Sequence, residues 1–139
     1  MPPAERVAAF DNDGTLWAER PIHVQFVFAM DRVRARVPRH PEWKDTQPFK
    51  AALEADLATL AESGASGWYE LVTATQAGTT TGEFERAVKQ WLATARHPRF
   101  NRPYPDLVYQ PMLEVLAYLR ANGFKTYIVS GGDIDFMRP

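Results

Sequence analysis

The sequence predicts an α/β protein: an incomplete parallel-sheet core with an inserted α-helical domain that caps it. Three observations carry this. Val7-Ala8-Ala9-Phe10 and Lys125-Thr126-Tyr127-Ile128-Val129 are short apolar runs leading into glycine turns, the pattern of strands buried on both faces of a parallel sheet. The long stretch between them has helical periodicity. A helix leads directly into the second run, which makes the pair a right-handed parallel crossover. Residues 1–20 and 106–139 are therefore assigned to the core, and 21–105 to the helical insertion.

The elements follow in order. Val7 to Phe10 is unalternating and Gly14 comes soon after it, which fits a buried strand, although periodicity alone leaves a buried helical turn open. Ile22 to Arg36 carries apolar residues at Phe26, Met30 and Val33 and reads as a helix. Pro48 to Ser63 sets Phe49, Leu53, Leu57 and Leu60 on one face, with Pro48 near its start and Gly64 as its stop. A shorter helix is expected over Trp68 to Thr75. Thr80 and Glu83 have capping-box spacing, ahead of a stripe of Phe84, Val88, Trp91 and Leu92. His97 to Pro105 holds three prolines and reads as a linker. Pro111 to Asn122 is a helix with Met112, Val115, Leu116 and Leu119 inward and Gly123 at its end. Lys125 to Val129 is rich in β-branched and aromatic residues and runs into Ser130-Gly131-Gly132.

Composition removes several classes of function. A hydrophobic content of 45% with 24% charged residues is that of a globular chain rather than a disordered one. With a net charge of -1 and no basic stripe, nucleic acid is not an expected partner. The absence of cysteine removes disulfides, thiolate metal sites and a cysteine nucleophile. His23, His40 and His97 are not paired at ligand spacing, which argues against a histidine zinc site. No apolar run approaches the ~20 residues of a membrane span. The first residues lack the apolar stretch of a secretory signal, so a cytoplasmic location is expected.

The segment Phe10-Asp11-Asn12-Asp13-Gly14-Thr15-Leu16 carries the chemistry. Two carboxylates stand two positions apart just beyond a strand, where a parallel sheet opens its ligand crevice. The glycine turn lets both converge on one pocket. An aspartate can attack phosphorus to form an aspartyl-phosphate, and a second carboxyl can protonate the leaving alcohol and then activate water. Two carboxylates so close repel unless a cation joins them, and Mg²⁺ suits such oxygens. An acidic turn is the plain alternative. A calcium loop fails, because its sixth and twelfth positions hold Leu16 and Ile22 instead of Gly and Glu.

Asp11-Asn12-Asp13-Gly14-Thr15 resembles the first motif of the haloacid dehalogenase (HAD) superfamily phosphatases, and Tyr127-Ile128-Val129-Ser130-Gly131-Gly132 resembles the second. The resemblance spans the chain in order, with a helical cap at the first insertion site of a Rossmann-like HAD core. It implies that Asp11 is the nucleophile and a metal ligand. It makes Asp13 the general acid/base, its carbonyl a second metal ligand, and Mg²⁺ the cofactor. It has Ser130 bind the phosphoryl oxygens with the backbone N–H groups of Asn12 and Gly131, a role suited to a reaction that rests on positioning and charge stabilisation. A plain helix N-cap is the other reading of Ser130. Dehalogenases of the superfamily lack an Asp two places after the nucleophile, so Asp13 points to phosphate chemistry. The Ser-Gly-Gly turn and helical cap are similar to the phosphoserine phosphatase branch, which places a substrate-reading Glu shortly after the first motif. Glu19 lies near that place with Arg20 beside it. Trp17, Arg20 and His23 are candidates to face substrate, with cap–core packing the alternative for Trp17.

The superfamily pattern continues with a lysine and an acidic pair. No lysine follows Lys125, which precedes its strand, and Asp133 and Asp135 lie too close to Ser130 to be that pair. The chain is thus expected to be an N-terminal fragment with an incomplete catalytic set. Two strands alone are marginal, so further chain, a partner copy or a swapped segment is expected to cover the sheet. The expected activity is Mg²⁺-dependent hydrolysis of a small phosphorylated substrate. Phosphoryl transfer to another acceptor, or a non-catalytic fragment binding phosphate or a protein, are the alternatives.

Overall fold

The computed structural model describes residues 2–139. In chain order its main elements are β1 (Val7–Phe10), α1 (Val24–Arg36), α2 (Phe49–Glu54), α3 (Leu57–Glu62), α4 (Gly64–Gln76), α5 (Thr81–Thr94), α6 (Gln110–Ala121), β2 (Lys125–Ile128) and α7 (Ile134–Met137). This is a mixed α/β chain with a small parallel sheet, as the sequence predicts. Contacts divide it into two compact units. One joins the chain up to His23 with Leu92–Gly132, and the other joins Val24–Trp91 with Asp133–Pro139.

In the first unit β1 and β2 pair in parallel, with Val7 opposite Lys125 and Phe10 opposite Ile128. Two bonds extend the ladder at its ends, from Lys125 N to Arg6 O and from Val129 N to Phe10 O, both at 2.8 Å. The strands are not buried on both faces: Val7, Tyr127, Ile128 and Val129 are each more than half exposed. The sequence marks these residues for burial; beside the β1 pairing, α6 packs against β2. On α6, Met112, Leu116 and Leu119 are half-buried, while Val115 stays exposed rather than turning inward. The helix ends at a left-handed Gly123 (φ +78), the termination its glycine predicts.

The stretch read as a linker is built more tightly than its prolines suggest. Arg96 pairs antiparallel with Pro103, and His97 N–H reaches Arg102 O at 2.9 Å while Asn101 N–H returns to His97 O at 2.9 Å. Asn101 takes φ +52 there, a conformation asparagine tolerates better than most residues. His97 and Tyr104 are both buried.

The second unit holds most of the apolar core. Val24, Phe28, Val33, Leu60, Leu71 and Val88 are fully buried, and α1 packs against α4 and α2. Phe28 is its centre, meeting Phe84 edge-on at 5.7 Å, Trp91 at 5.5 Å and Phe136 of α7 at 5.3 Å. Such aromatic contacts add to area burial, which is why truncating a residue like Phe28 typically costs about 3–5 kcal/mol.

One local expectation is corrected. The single helix expected over Pro48 to Ser63 is two, α2 and α3, broken where Ala55 turns left-handed at φ 56. Asp56 wins the competition for backbone donors: its side chain accepts from Ala58 N and Thr59 N at 3.2 and 3.1 Å and caps a new helix. The apolar stripe continues through the break, so periodicity alone could not reveal it. Gly64 stands as the stop: α3 ends at Glu62 with Ser63 as its C-cap, and Gly64 follows at φ +62, where α4 begins. The Thr80–Glu83 capping box forms in both directions, with Thr80 N to Glu83 Oε2 at 2.8 Å and Glu83 N to Thr80 Oγ1 at 3.3 Å.

Candidate functional site

Beyond the last paired residues of β1 and β2 the chain turns at the same end of the sheet. Asp11, Asn12 and Asp13 follow Phe10, and Val129, Ser130 and Gly131 follow its partner Ile128. The parallel register therefore sets all five predicted site residues on adjoining strand ends.

The first turn is wound around one acceptor. Asn12 O receives the N–H groups of Thr15, Leu16 and Trp17 at 3.2, 2.8 and 3.4 Å, and Gly14 N closes the loop onto Trp17 O at 2.9 Å. Gly14 takes φ +75, open to glycine at little cost, and Glu19 lies against it. Trp17 also pairs antiparallel with Val108, while Ala18 N donates to Leu107 O at 3.0 Å and Tyr109 N to Leu16 O at 2.9 Å. The loop is thus tied to the segment leading into α6.

Asp11 is exposed, and its Oδ1 accepts from the Asn12 N–H at 2.8 Å. Asp13 is more enclosed, its side chain 20% accessible. Its Oδ1 accepts from Trp17 Nε1 at 2.8 Å, and its Oδ2 lies 3.5 Å from His23 Nδ1, an ion pair when that ring is protonated. The two carboxylates therefore differ in kind: one is open to solvent, the other oriented by neighbours. Trp17 has a polar duty that its reading as packing or substrate contact missed, and the signal available was only its spacing four residues past Asp13.

Ser130 is half-buried, and its Oγ accepts from Gly132 N at 3.1 Å. It is not the N-cap of the following helix. Asp133 is, accepting from Asp135 N at 2.8 Å. Asp133 is also engaged by Gln25, whose Oε1 takes the Asp133 N–H at 2.9 Å, and by Gln76, whose side-chain N–H reaches its carboxylate. Gly131 is exposed, with open space where a side chain would project.

Hard oxygens are what this end of the sheet offers a metal: the Asp11 carboxylate and the Asp13 carbonyl. They suit Mg²⁺, which takes one or two carboxylates and keeps water. Among the described residues no group of three or more His, Cys, Asp or Glu side chains gathers as a metal site.

A cleft of about 790 Å³ opens elsewhere in the same unit, between residues 18–21, 97–102 and 106–109. Neither Asp11 nor Asp13 lines it. Glu19 and Arg20 line this cleft, with Arg20 Nε 4.0 Å from Glu19 Oε1.

Residues 8–139 match the family model of the haloacid dehalogenase-like hydrolases. No curated protein matches the chain. No helix among the described residues is long and apolar enough to cross a membrane.

Proposed function

Since the chain belongs to the haloacid dehalogenase-like hydrolases, we propose that it carries the phosphate-handling end of a Mg²⁺-dependent phosphohydrolase acting through an aspartyl-phosphate. A carboxylate oxygen of Asp11 attacks phosphorus, and the phosphorus–oxygen bond to the leaving alcohol breaks as Asp13 delivers a proton to it. Asp13 then takes a proton from water, which attacks the same phosphorus and releases phosphate and free Asp11. Ser130 and the N–H groups of Asn12 and Gly131 stabilise the transferring oxygens. Bound Mg²⁺, held by the Asp11 carboxylate and Asp13 carbonyl, would offset negative charge on the phosphoryl group.

The observation that supports this reading best is the difference between the two carboxylates. Asp11 stands in the open, as a nucleophile must, while Asp13 is held from two sides, as a proton donor that has to meet one leaving atom should be. Hydrolysis of an aryl phosphate with Mg²⁺ tests it. Asp11→Asn keeps the shape and removes the nucleophile, so turnover should fall to background. Turnover unchanged in Asp11→Asn overturns the reading. Phosphate appearing on added alcohols at the expense of free phosphate would move the assignment to phosphoryl transfer.

A further inference from the structure

Three arginines line the cleft beside residues 18–21: Arg20, Arg99 and Arg102. They come from two segments of the chain, and one buried residue gathers them through its ring and its backbone. His97 is 3% exposed. Its Nε2 meets Arg20 O at 2.6 Å, its Nδ1 accepts the Arg99 N–H at 3.1 Å, and its own N–H donates to Arg102 O at 2.9 Å. Because Nδ1 accepts, the ring proton sits on Nε2, which donates to the Arg20 carbonyl. A neutral imidazole thus ties the backbone at Arg20 and Arg99 without adding a fourth positive charge, and the backbone N–H of His97 ties the third at Arg102.

We propose that this cleft is a binding site for an oxyanion carried on a flat apolar body, of the aryl phosphate or aryl carboxylate class. The charge balance selects an anion: three guanidinium groups face two carboxylates, Glu19 and Asp106, and Glu19 is already beside Arg20. Guanidinium forks pair with phosphate and carboxylate by charge-assisted hydrogen bonds, and the Arg20 side chain is 88% accessible to make them. The apolar requirement comes from the remaining walls, where Phe100, Val108 and Tyr109 are exposed and Leu107 half-buried. Arg99 already lies 5.5 Å above the Phe100 ring, so a guanidinium and an aromatic face are presented together. An inorganic anion would satisfy the arginines and leave this apolar wall wet, whereas an arylated one covers it. The inference concerns a different part of the unit from Asp11 and Asp13 and does not rest on the phosphohydrolase reading.

The probe is phenylphosphonate, which cannot be hydrolysed, followed through the ring resonances of His97 by NMR without metal. Phenylacetate, methylphosphonate and benzyl alcohol are the comparison ligands. Saturable shifts are expected with phenylphosphonate or phenylacetate, and the stronger of the two names the oxyanion. Methylphosphonate and benzyl alcohol should each bind about tenfold more weakly or worse. Arg99→Ala with Arg102→Ala should weaken the arylated anion by about tenfold or more while His97 stays in its folded position. Asp11→Asn with Ser130→Ala should leave this binding intact, which separates the cleft from the motif end of the sheet. No saturable shift, equal binding of benzyl alcohol, full binding in the arginine double variant, or loss of binding on changing Asp11 and Ser130 would each overturn the proposal.

Discussion

The indole N–H of Trp17 donates to Asp13 Oδ1 across 2.8 Å, inside a turn that Asn12 O closes with three backbone donors. Local winding after the strand therefore aims the carboxyl of Asp13, with one distant pairing to support it. The bond reaches i+4 with no helix to carry it, so it needs the glycine turn and the Trp17–Val108 pairing that holds the indole in place.

Trp17→Phe isolates that bond, since it keeps an aromatic ring and deletes the donor. If Asp13 delivers the proton, misaiming it slows the chemical step more than binding. The expected result is a fall in kcat of about tenfold to a hundredfold with KM little changed, together with about 1 kcal/mol of lost stability for one hydrogen bond. Steady-state kinetics on an aryl phosphate and urea unfolding read the two effects separately. A change confined to KM would assign Trp17 to substrate contact instead.

Gly14→Ala tests the turn itself. A Cβ there would stand 2.8 Å from Glu19 Cδ, and the backbone is at φ +75. The clash is with the far end of a flexible side chain and can be relieved by a rotamer change. The left-handed backbone cannot, and it costs a non-glycine residue about 1–2 kcal/mol. Gly14→Ala should therefore destabilise by about that amount, and adding Glu19→Ala should recover little of it. Full recovery in the double variant, measured by urea unfolding, would make the contact with Glu19 the larger effect.

The ends of β1, the parallel pairing and the Thr80–Glu83 box were legible because each rests on a short-range rule: an apolar run, a following glycine, a capping pair. The break at Ala55 was not, since Phe49, Leu53, Leu57 and Leu60 keep a helical stripe through it while Asp56 captures the backbone donors. Likewise the motif carboxylates could be picked out by spacing, but the partners of Asp13 could not, because Trp17 and His23 reach it through a turn geometry that spacing does not encode. His97 was legible only as a lone histidine among prolines. Its ring meets backbone groups 77 and 2 positions away and its own backbone N–H a carbonyl 5 positions away, and only the folded chain brings them to one residue.

Acid should weaken the helical unit through its caps. The Thr59 hydroxyl, then the Thr59 N–H, holds the Asp56 carboxyl below its ordinary value, and the Thr80 N–H, then its hydroxyl, does the same for Glu83. A carboxyl lowered on folding stabilises the fold above its unfolded pKa, and that contribution is lost as pH falls through the folded value. The loss should set in below about pH 5 and deepen toward about pH 3. In Asp56→Asn with Glu83→Gln, unfolding free energy should fall less steeply over that range than in the parent chain. Parallel curves for the two proteins would remove the caps from the acid response.

Metal binding should depend on the anion. On the proposed reading the motif end would supply Mg²⁺ with one carboxylate and one carbonyl, and among the described residues no group of three or more His, Cys, Asp or Glu side chains gathers as a metal site. A small ion that gives up water reluctantly gains little from so few ligands, so calorimetry without anion should show millimolar affinity or weaker. Orthovanadate, which offers phosphate-like oxygens and can be approached by Asp11, completes the shell and should tighten Mg²⁺ by about tenfold or more. Coupling between two binding events is reciprocal, so Mg²⁺ must tighten vanadate by the same factor, which gives an internal check within one titration set. Asp11→Asn removes the ligand common to both and should abolish the coupling while leaving the fold intact. Micromolar Mg²⁺ binding without vanadate would mean that the metal is held by residues other than Asp11 and Asp13. Coupling that survives in Asp11→Asn would remove this aspartate from both roles, nucleophile and ligand together.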